Sequence, residues 1–224
     1  MRERALDNAI QFQDVTVDGH KECYSFAVPY GSFSSLISTR QVESDRIVQL
    51  ALGLLKYSTG TILTINENVA ALTTEELNKL RMRISVVFPS GGLISNLKAW
   101  ENLLLPLEYH SKLSPALIHE RGLTMLERVG YNGELLALPG HMSLYEKRLV
   151  GVARGMISDP ELILYNNIFD GLTDSEKENI STIITEFHRE KPGRTSLFMT
   201  SNHEALKEVA FDYHVILKGN EFHG

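Results

Sequence analysis

The chain has 224 residues, a formal net charge of −6, one cysteine and 43% hydrophobic residues. That length and apolar content suit a packed soluble core with no sign of disorder. The negative charge, without any Lys/Arg cluster, disfavours nucleic acid and anionic lipid as direct partners. Cys23 has no partner for an internal disulfide; its place in an alternating apolar run predicts a packed thiol in a reducing compartment. Met1 to Asp7 lacks a signal-peptide apolar stretch and no window approaches eighteen apolar residues, so a membrane role is expected only through a partner.

Ala9 to Val17 and Glu22 to Tyr30 alternate in polarity around Asp18-Gly19 and predict an antiparallel hairpin. Phe33 to Ser38 reads as a short strand. A helix is expected from about Ser44 to Tyr57, with Ser44 as N-cap and Ile47, Leu50, Ala51, Leu54 and Leu55 on one face. Thr61 to Ile65 predicts a strand, Leu72 to Glu76 a capped helix ending near Arg81, and Ile84 to Phe88 another strand. From Pro89 to about Ser158 the period is helical, near Lys98–Tyr109, Ser114–Val129 and Ser143–Ile157. Strand and helix then alternate: Leu162–Tyr165, Asp174–Glu190, Ser196–Thr200, Glu204–Ala210 and Tyr213–Leu217. This order predicts one α/β domain over 1–224, with a mostly parallel sheet, an antiparallel side sheet and a helical subdomain over about 89–158.

The stretch Leu162 to Tyr165 is too short for a helix and apolar throughout, which predicts a strand buried on both faces. Ligands of open α/β sheets bind beyond the carboxyl ends of such strands, and there stand Asn166 and Asn167. An amide neither gives a metal a full negative charge nor takes a proton from water. Arg40, Arg81 and Arg83 read as solvated strand or helix ends, and the eight histidines show no metal-ligand pairing.

Three stretches carry a family resemblance. Gly31 to Leu55, Pro139 to Tyr165, and above all Val87-Phe88-Pro89-Ser90-Gly91-Gly92-Leu93-Ile94-Ser95-Asn96-Leu97, continuing through Trp100-Glu101-Asn102 and Leu105-Pro106-Leu107, resemble an ABC-transporter ATPase domain. The Ser90 to Leu93 run resembles in particular the ATPase subunits of MCE-type phospholipid transporters. The resemblance implies an ABC ATPase-like fold of the P-loop type, a dimer with a second copy or another ABC ATPase-like subunit, and docking on an integral-membrane permease. It also places the chain on the cytoplasmic face of the inner membrane, with Ser90, Gly91, Gly92, Leu93, Leu97 and Trp100 as candidates for permease contact.

Against that family's motifs the chain departs at every catalytic station. The P-loop pattern G-x-x-G-x-G-K-S/T is met by Ser38-Thr39-Arg40-Gln41-Val42-Glu43-Ser44-Asp45, without glycine or lysine. Non-glycine residues forced to left-handed φ cost roughly 1–2 kcal/mol, and each carboxylate about 4 Å from a phosphate repels it by roughly 4 kcal/mol at an effective dielectric near 20. Pro89 stands for the Q-loop glutamine. The signature L-S-G-G-Q is met by Met142-Ser143-Leu144-Tyr145-Glu146, Walker B ends in Asn166 and Asn167, Thr173 replaces the D-loop aspartate, and Ser201 the switch histidine, with His203 two residues on. Tyr145 and Glu146 read equally as a new partner contact or as filling for an unused cleft. The resemblance with these departures implies a pseudo-ATPase that binds a permease and expects no cofactor. A working ATPase built on Asp45, Asn166 and Ser143 with ATP and Mg²⁺, and a soluble regulatory module, are the alternatives.

Overall fold

The structure, a computed structural model, describes residues 8–215 and residue 217. Two sheets form it. The first is antiparallel, in the order β2-β1-β4-β5: β1 (Asn8–Thr16), β2 (Cys23–Pro29), β4 (Thr59–Thr64) and β5 (Glu67–Asn68). The second is parallel, in the order β6-β7-β8-β3-β9: β3 (Phe33–Ile37), β6 (Ile84–Val87), β7 (Leu162–Asn166), β8 (Thr195–Thr200) and β9 (Tyr213–Val215). Six helices connect them: α1 (Gln41–Ala51), α2 (Thr74–Arg81), α3 (Ala99–His110), α4 (Pro115–Arg128), α5 (Leu144–Met156) and α6 (Asp174–Glu190). The helices α3, α4 and α5 all lie between β6 and β7 in the chain.

Every residue of β7 is buried, and its side chains divide between two cores as the pleat requires. Ile163 and Tyr165 join Leu103, Val150, Ile184 and Phe187 on the side of α3, α5 and α6. Leu162 and Leu164 join Phe12, Ile47, Leu50 and Ile62 between the two sheets and α1. Each such side chain contributes roughly 1.5–3 kcal/mol by leaving water, so β7 is held from both faces and its carboxyl end is fixed in space. Among the described residues no helix is long and apolar enough to cross a membrane.

Several local expectations change. α1 starts at Gln41 with Arg40 as N-cap, three residues before Ser44. The reason is Glu43, whose Oε2 accepts the backbone N–H of Thr39 (2.7 Å) and of Arg40 (3.4 Å), while the Ser44 hydroxyl is spent inside the helix on the Gln41 carbonyl (2.8 Å). The helix stops at Ala51, short of Tyr57, because Gly53 turns left-handed (φ +63°) and Arg81 donates to the carbonyls of Leu52 and Gly53. Arg81 is therefore a cap for a neighbouring helix, not a solvated end. Cys23 is exposed: alternation along β2 sends Tyr24, Phe26 and Val28 inward, so the thiol faces out. The expected helix near Glu204–Ala210 is a 3₁₀ turn, His203–Glu208, opened by the N–H of Glu204 on Asn202 Oδ1. Of the expected strand Tyr213–Leu217, Ile216 lies outside the described residues, as does Met1 to Asp7.

The loop after β6 is pressed onto α5. A Cβ at Gly151 would lie 2.6 Å from the Cα and carbonyl oxygen of Gly91, and one at Gly91 would lie 2.1 Å from the Lys147 carbonyl oxygen. Arg154 donates to the carbonyls of Gly91 (3.0 Å) and Gly92 (2.8 Å), and Asn102 accepts from Ile94 N–H (2.7 Å) while donating to the carbonyls of Ile94, Leu97 and Lys98. Gly151→Ala is expected to lower stability by about 1–3 kcal/mol through overpacking, read as a drop in urea midpoint at unchanged slope. An unchanged midpoint would mean that this contact is loose.

Candidate functional site

Asn166 and Asn167 sit at the carboxyl end of β7 and are buried, Asn167 at 1% exposure. Asn167 is left-handed (φ +48°), a conformation asparagine tolerates better than most residues. Its backbone N–H bonds to the Met199 carbonyl (2.8 Å), which fixes the turn against β8. Its side-chain N–H groups reach Ser44 Oγ (2.8 Å) on α1 and Asn166 Oδ1 (2.8 Å). Its side-chain oxygen accepts Ser201 N–H (3.0 Å) and Ser201 Oγ–H (3.3 Å). Asn166 in turn donates to Asp45 Oδ1 at 2.6 Å. Ser44, Asp45, Asn166, Asn167 and Ser201 thus form one chain of donors and acceptors that runs from α1 across β7 to the end of β8.

Beside this chain lies the turn from Ser38 to Asp45. Glu43 is buried at the third position of α1, and its Oε2 also accepts the Thr39 hydroxyl at 2.6 Å. Gln41 is exposed, while Ser38 is buried with its Oγ unpartnered. Under Asn167, α5 contributes Arg148, fully buried, whose guanidinium donates to the backbone carbonyls of Asn167 (3.4 Å) and Asp170 (3.3 Å). Burial pushes the Arg148 pKa down to about 10, only partly offset by the Asp170 charge. Burial likewise raises the Asp170 pKa against the opposing pull of Arg148.

A cleft of about 950 Å³ meets this region at Gln41, Asp45 and Asp170 and is lined also by Leu54, Phe88, Pro89 and Leu144, with no lysine or arginine lining it among the described residues. Leu144 is 38% exposed and lies over Gly171, where an added Cβ would meet its Cδ2 at 2.9 Å. The hydroxyl of Ser143 caps α5 by accepting Glu146 N–H (3.1 Å), and Glu146 accepts Ser143 N–H in return (2.7 Å). Tyr145 is half-buried and its hydroxyl accepts from Asn179 on α6 (2.5 Å). Both residues are thus engaged within their own chain. Thr173 is the N-cap of α6 and pairs with Glu176 (N–H to Oε2, 2.8 Å). Ser201, not His203, meets Asn167; His203 is exposed and starts the 3₁₀ turn.

Of the six permease-contact candidates, Ser90 is exposed, Gly91 is buried, and Gly92 and Leu97 are intermediate. Leu93 and Trp100 pack against the core of α3–α6, with Trp100 edge-on to His119 at 4.9 Å. Arg40 pairs with Glu22 (3.0 Å) and Arg83 with Glu161 (2.8 Å), so the three arginines do not gather into one cradle. The sequence marked Glu43 but did not reveal Arg148 as a member of the cluster. An arginine directly before the apolar run Leu149–Ala153 marks it.

No family model matches the chain. It is 27% identical over 173 residues to MlaF of Escherichia coli (strain K12), an intermembrane phospholipid transport system ATP-binding protein; that match covers 75% of this chain and 64% of the relative. It is 29% identical over 195 residues to the methionine import ATP-binding protein MetN of Rhizobium meliloti (strain 1021), covering 87% and 54%. The chain therefore spans less than two thirds of either relative. Its fold superposes on the dimeric bacterial ABC transporter cassette MJ0796 with a TM-score of 0.77 at 22% identity, covering 89% of this chain and 91% of that one. The chain has the fold of an ABC-transporter ATPase domain and resembles ABC ATP-binding proteins in sequence.

In this ABC fold the amide of Asn167 is the one group bonded to α1, to β7 and to the segment after β8. Asn167→Asp is expected to cost about 3–5 kcal/mol, because a buried carboxylate would face Ser44 Oγ and Asn166 Oδ1 with no proton to offer. Burial raises the new carboxyl's folded pKa above its unfolded value near 4. The loss is then full at neutral pH, shrinks as the pH falls through the raised folded pKa, and levels off below about 4, where both states are protonated. Urea titrations at pH 4 and pH 7 measure it; equal losses at both would show that the position is solvated.

Proposed function

We propose that this chain is an ABC ATPase-like subunit that neither binds nor hydrolyses nucleotide and serves as a docking or regulatory component of a membrane transport system. The observation that carries this reading is the closed hydrogen-bond chain through Asn167. The residues present do not fit a magnesium-bound triphosphate. The Thr39 and Arg40 N–H groups, which open the turn into α1, are taken by the Glu43 carboxylate. Ser44 and Asp45 are bound to the two asparagines, and no cation lines the cleft to balance phosphate. Nor is there a base at β7: the amides of Asn166 and Asn167 cannot take a proton from water.

The partner under this proposal is an integral-membrane permease. A groove of about 650 Å³ between α2, β6 and α3 is lined by Met82, Val86, Leu105, Pro106 and Tyr109 together with Arg81 and Arg154. Met82 is 49% and Tyr109 76% exposed. Such a groove suits the apolar face of an amphipathic helix on the permease's cytoplasmic side. The likeness to MlaF favours an MCE-type lipid transport system, with the chain peripheral on the cytoplasmic face of the inner membrane. The fold shared with the dimeric MJ0796 cassette favours pairing with a second copy or another ABC-type subunit.

Two measurements test the proposal. The purified chain is expected to release phosphate from Mg²⁺–ATP no faster than buffer; a rate that disappears in Asn167→Ala would overturn it. A photo-crosslinker at Tyr109 in intact cells is expected to trap an integral-membrane protein, and Met82→Glu to reduce that adduct at least about tenfold, the effect of roughly 1.4 kcal/mol lost at an apolar anchor. An adduct made only with soluble proteins would refute the docking role.

A further inference from the structure

We infer that the polar chain through Asn167 is a permanent clamp: it ties α1, β7, the segment after β8 and α5 into one unit in the absence of any ligand. The inference deepens the proposed loss of nucleotide binding and rests on it. Its basis is connectivity. Starting on α1, Ser44 donates to the Gln41 carbonyl and accepts from Asn167. Asn167 then bonds Asn166, which bonds Asp45 back on α1, closing a loop between helix and strand. The Asn167 side-chain oxygen holds Ser201 by two bonds, and Ser38 N–H bonds the Thr200 carbonyl (3.0 Å), joining the start of the Ser38–Asp45 turn to the same segment. Finally the Asn167 main-chain carbonyl receives Arg148, whose helix α5 presses Gly151 onto the Gly91 loop.

The centre of the clamp is shielded from water. Asn166 and Asn167 are buried, so water does not compete for their amides. Arg148 is also buried and its Nε has no partner, so the two carbonyls of Asn167 and Asp170 are what its guanidinium holds. An amide at 167 is required by this geometry, because the site calls for two donors and one doubly accepting oxygen on the same side chain. A glutamate or aspartate supplies only acceptors. The clamp therefore fixes α5, and with it the loop 88–97, against the parallel sheet in the resting protein. A ligand is not needed to close it.

Hydrogen–deuterium exchange of the full chain, wild type against Asn167→Ala and Ser44→Ala, tests the clamp. In wild type without ligand, peptides covering 38–45, 166–172, 200–202 and 144–156 are expected to exchange slowly. Asn167→Ala is expected to raise exchange at 38–45, 166–172 and 200–202 together, by about tenfold or more, whereas 144–156 keeps its bond to the main-chain carbonyl of residue 167. Ser44→Ala removes one of the two α1 ties, leaving Asp45 to Asn166, and keeps the test alive should Asn167→Ala fail to fold; the clamp then expects faster exchange at 200–202 as well as 38–45. A change confined to the substituted segment in either variant overturns the clamp. Adding Mg²⁺–ATP to wild type separates the two readings: new protection at 38–45 contradicts the nucleotide-free reading, whereas the variants' response in ligand-free protein decides the clamp.

Discussion

One side chain, the amide of Asn167, sets the chemistry of the whole region. It donates twice, to Ser44 and Asn166, and accepts twice from Ser201. A carboxylate accepts only, so any acid at this place would need protons supplied by its neighbours or by a metal and water. The neighbours here are matched to an amide. Asp45 supplies a negative charge that Asn166 satisfies at 2.6 Å; an aspartate at 166 would set two carboxylates against each other. The residues at 44, 45, 166, 167 and 201 are thus one mutually compatible set.

Packing gives this set its rigidity. β7 is buried on both faces and cannot shift without opening two cores. Arg148 adds a costly constraint: burying a guanidinium is unfavourable enough to lower its pKa to about 10, and the carbonyls of Asn167 and Asp170 together with the Asp170 charge offset part of that cost. Further out, the N3 glutamates Glu43, Glu76, Glu101, Glu146 and Glu176 each accept the N–H of their helix's N-cap. At α1 this ordinary cap has a second consequence. Its buried carboxylate takes the Thr39 and Arg40 N–H groups, so the device that starts the helix also occupies the donors of the turn.

Much of this was legible in the sequence because it is local. The Leu162–Tyr165 run, the Thr73 cap before α2 and the full extent of α6 follow from period and capping residues, and the structure places them as expected. The start of α1 was not legible, since Ser44 reads as the cap and only the buried Glu43, which accepts the Arg40 N–H, moves the start back to Gln41. Cys23 was misread because an alternating strand has two faces and the sequence does not say which is inward. The pairing of Asp45 with Asn166 spans 121 residues. No local pattern carries it, and it emerges only when α1 is laid against the end of β7.

Thermal unfolding with and without millimolar Mg²⁺–ATP, beside a hydrolysing ABC cassette as control, tests the central claim most directly. Ligand at a hundredfold excess over Kd stabilises by about 2.7 kcal/mol, or roughly 5–10 °C for a chain of this size. Superimposable curves for this chain, with a shift in the control, are the expected result. A comparable upward shift here would mean that the turn at Thr39–Asp45 opens to admit phosphate, and would contradict a cleft closed by its own side chains.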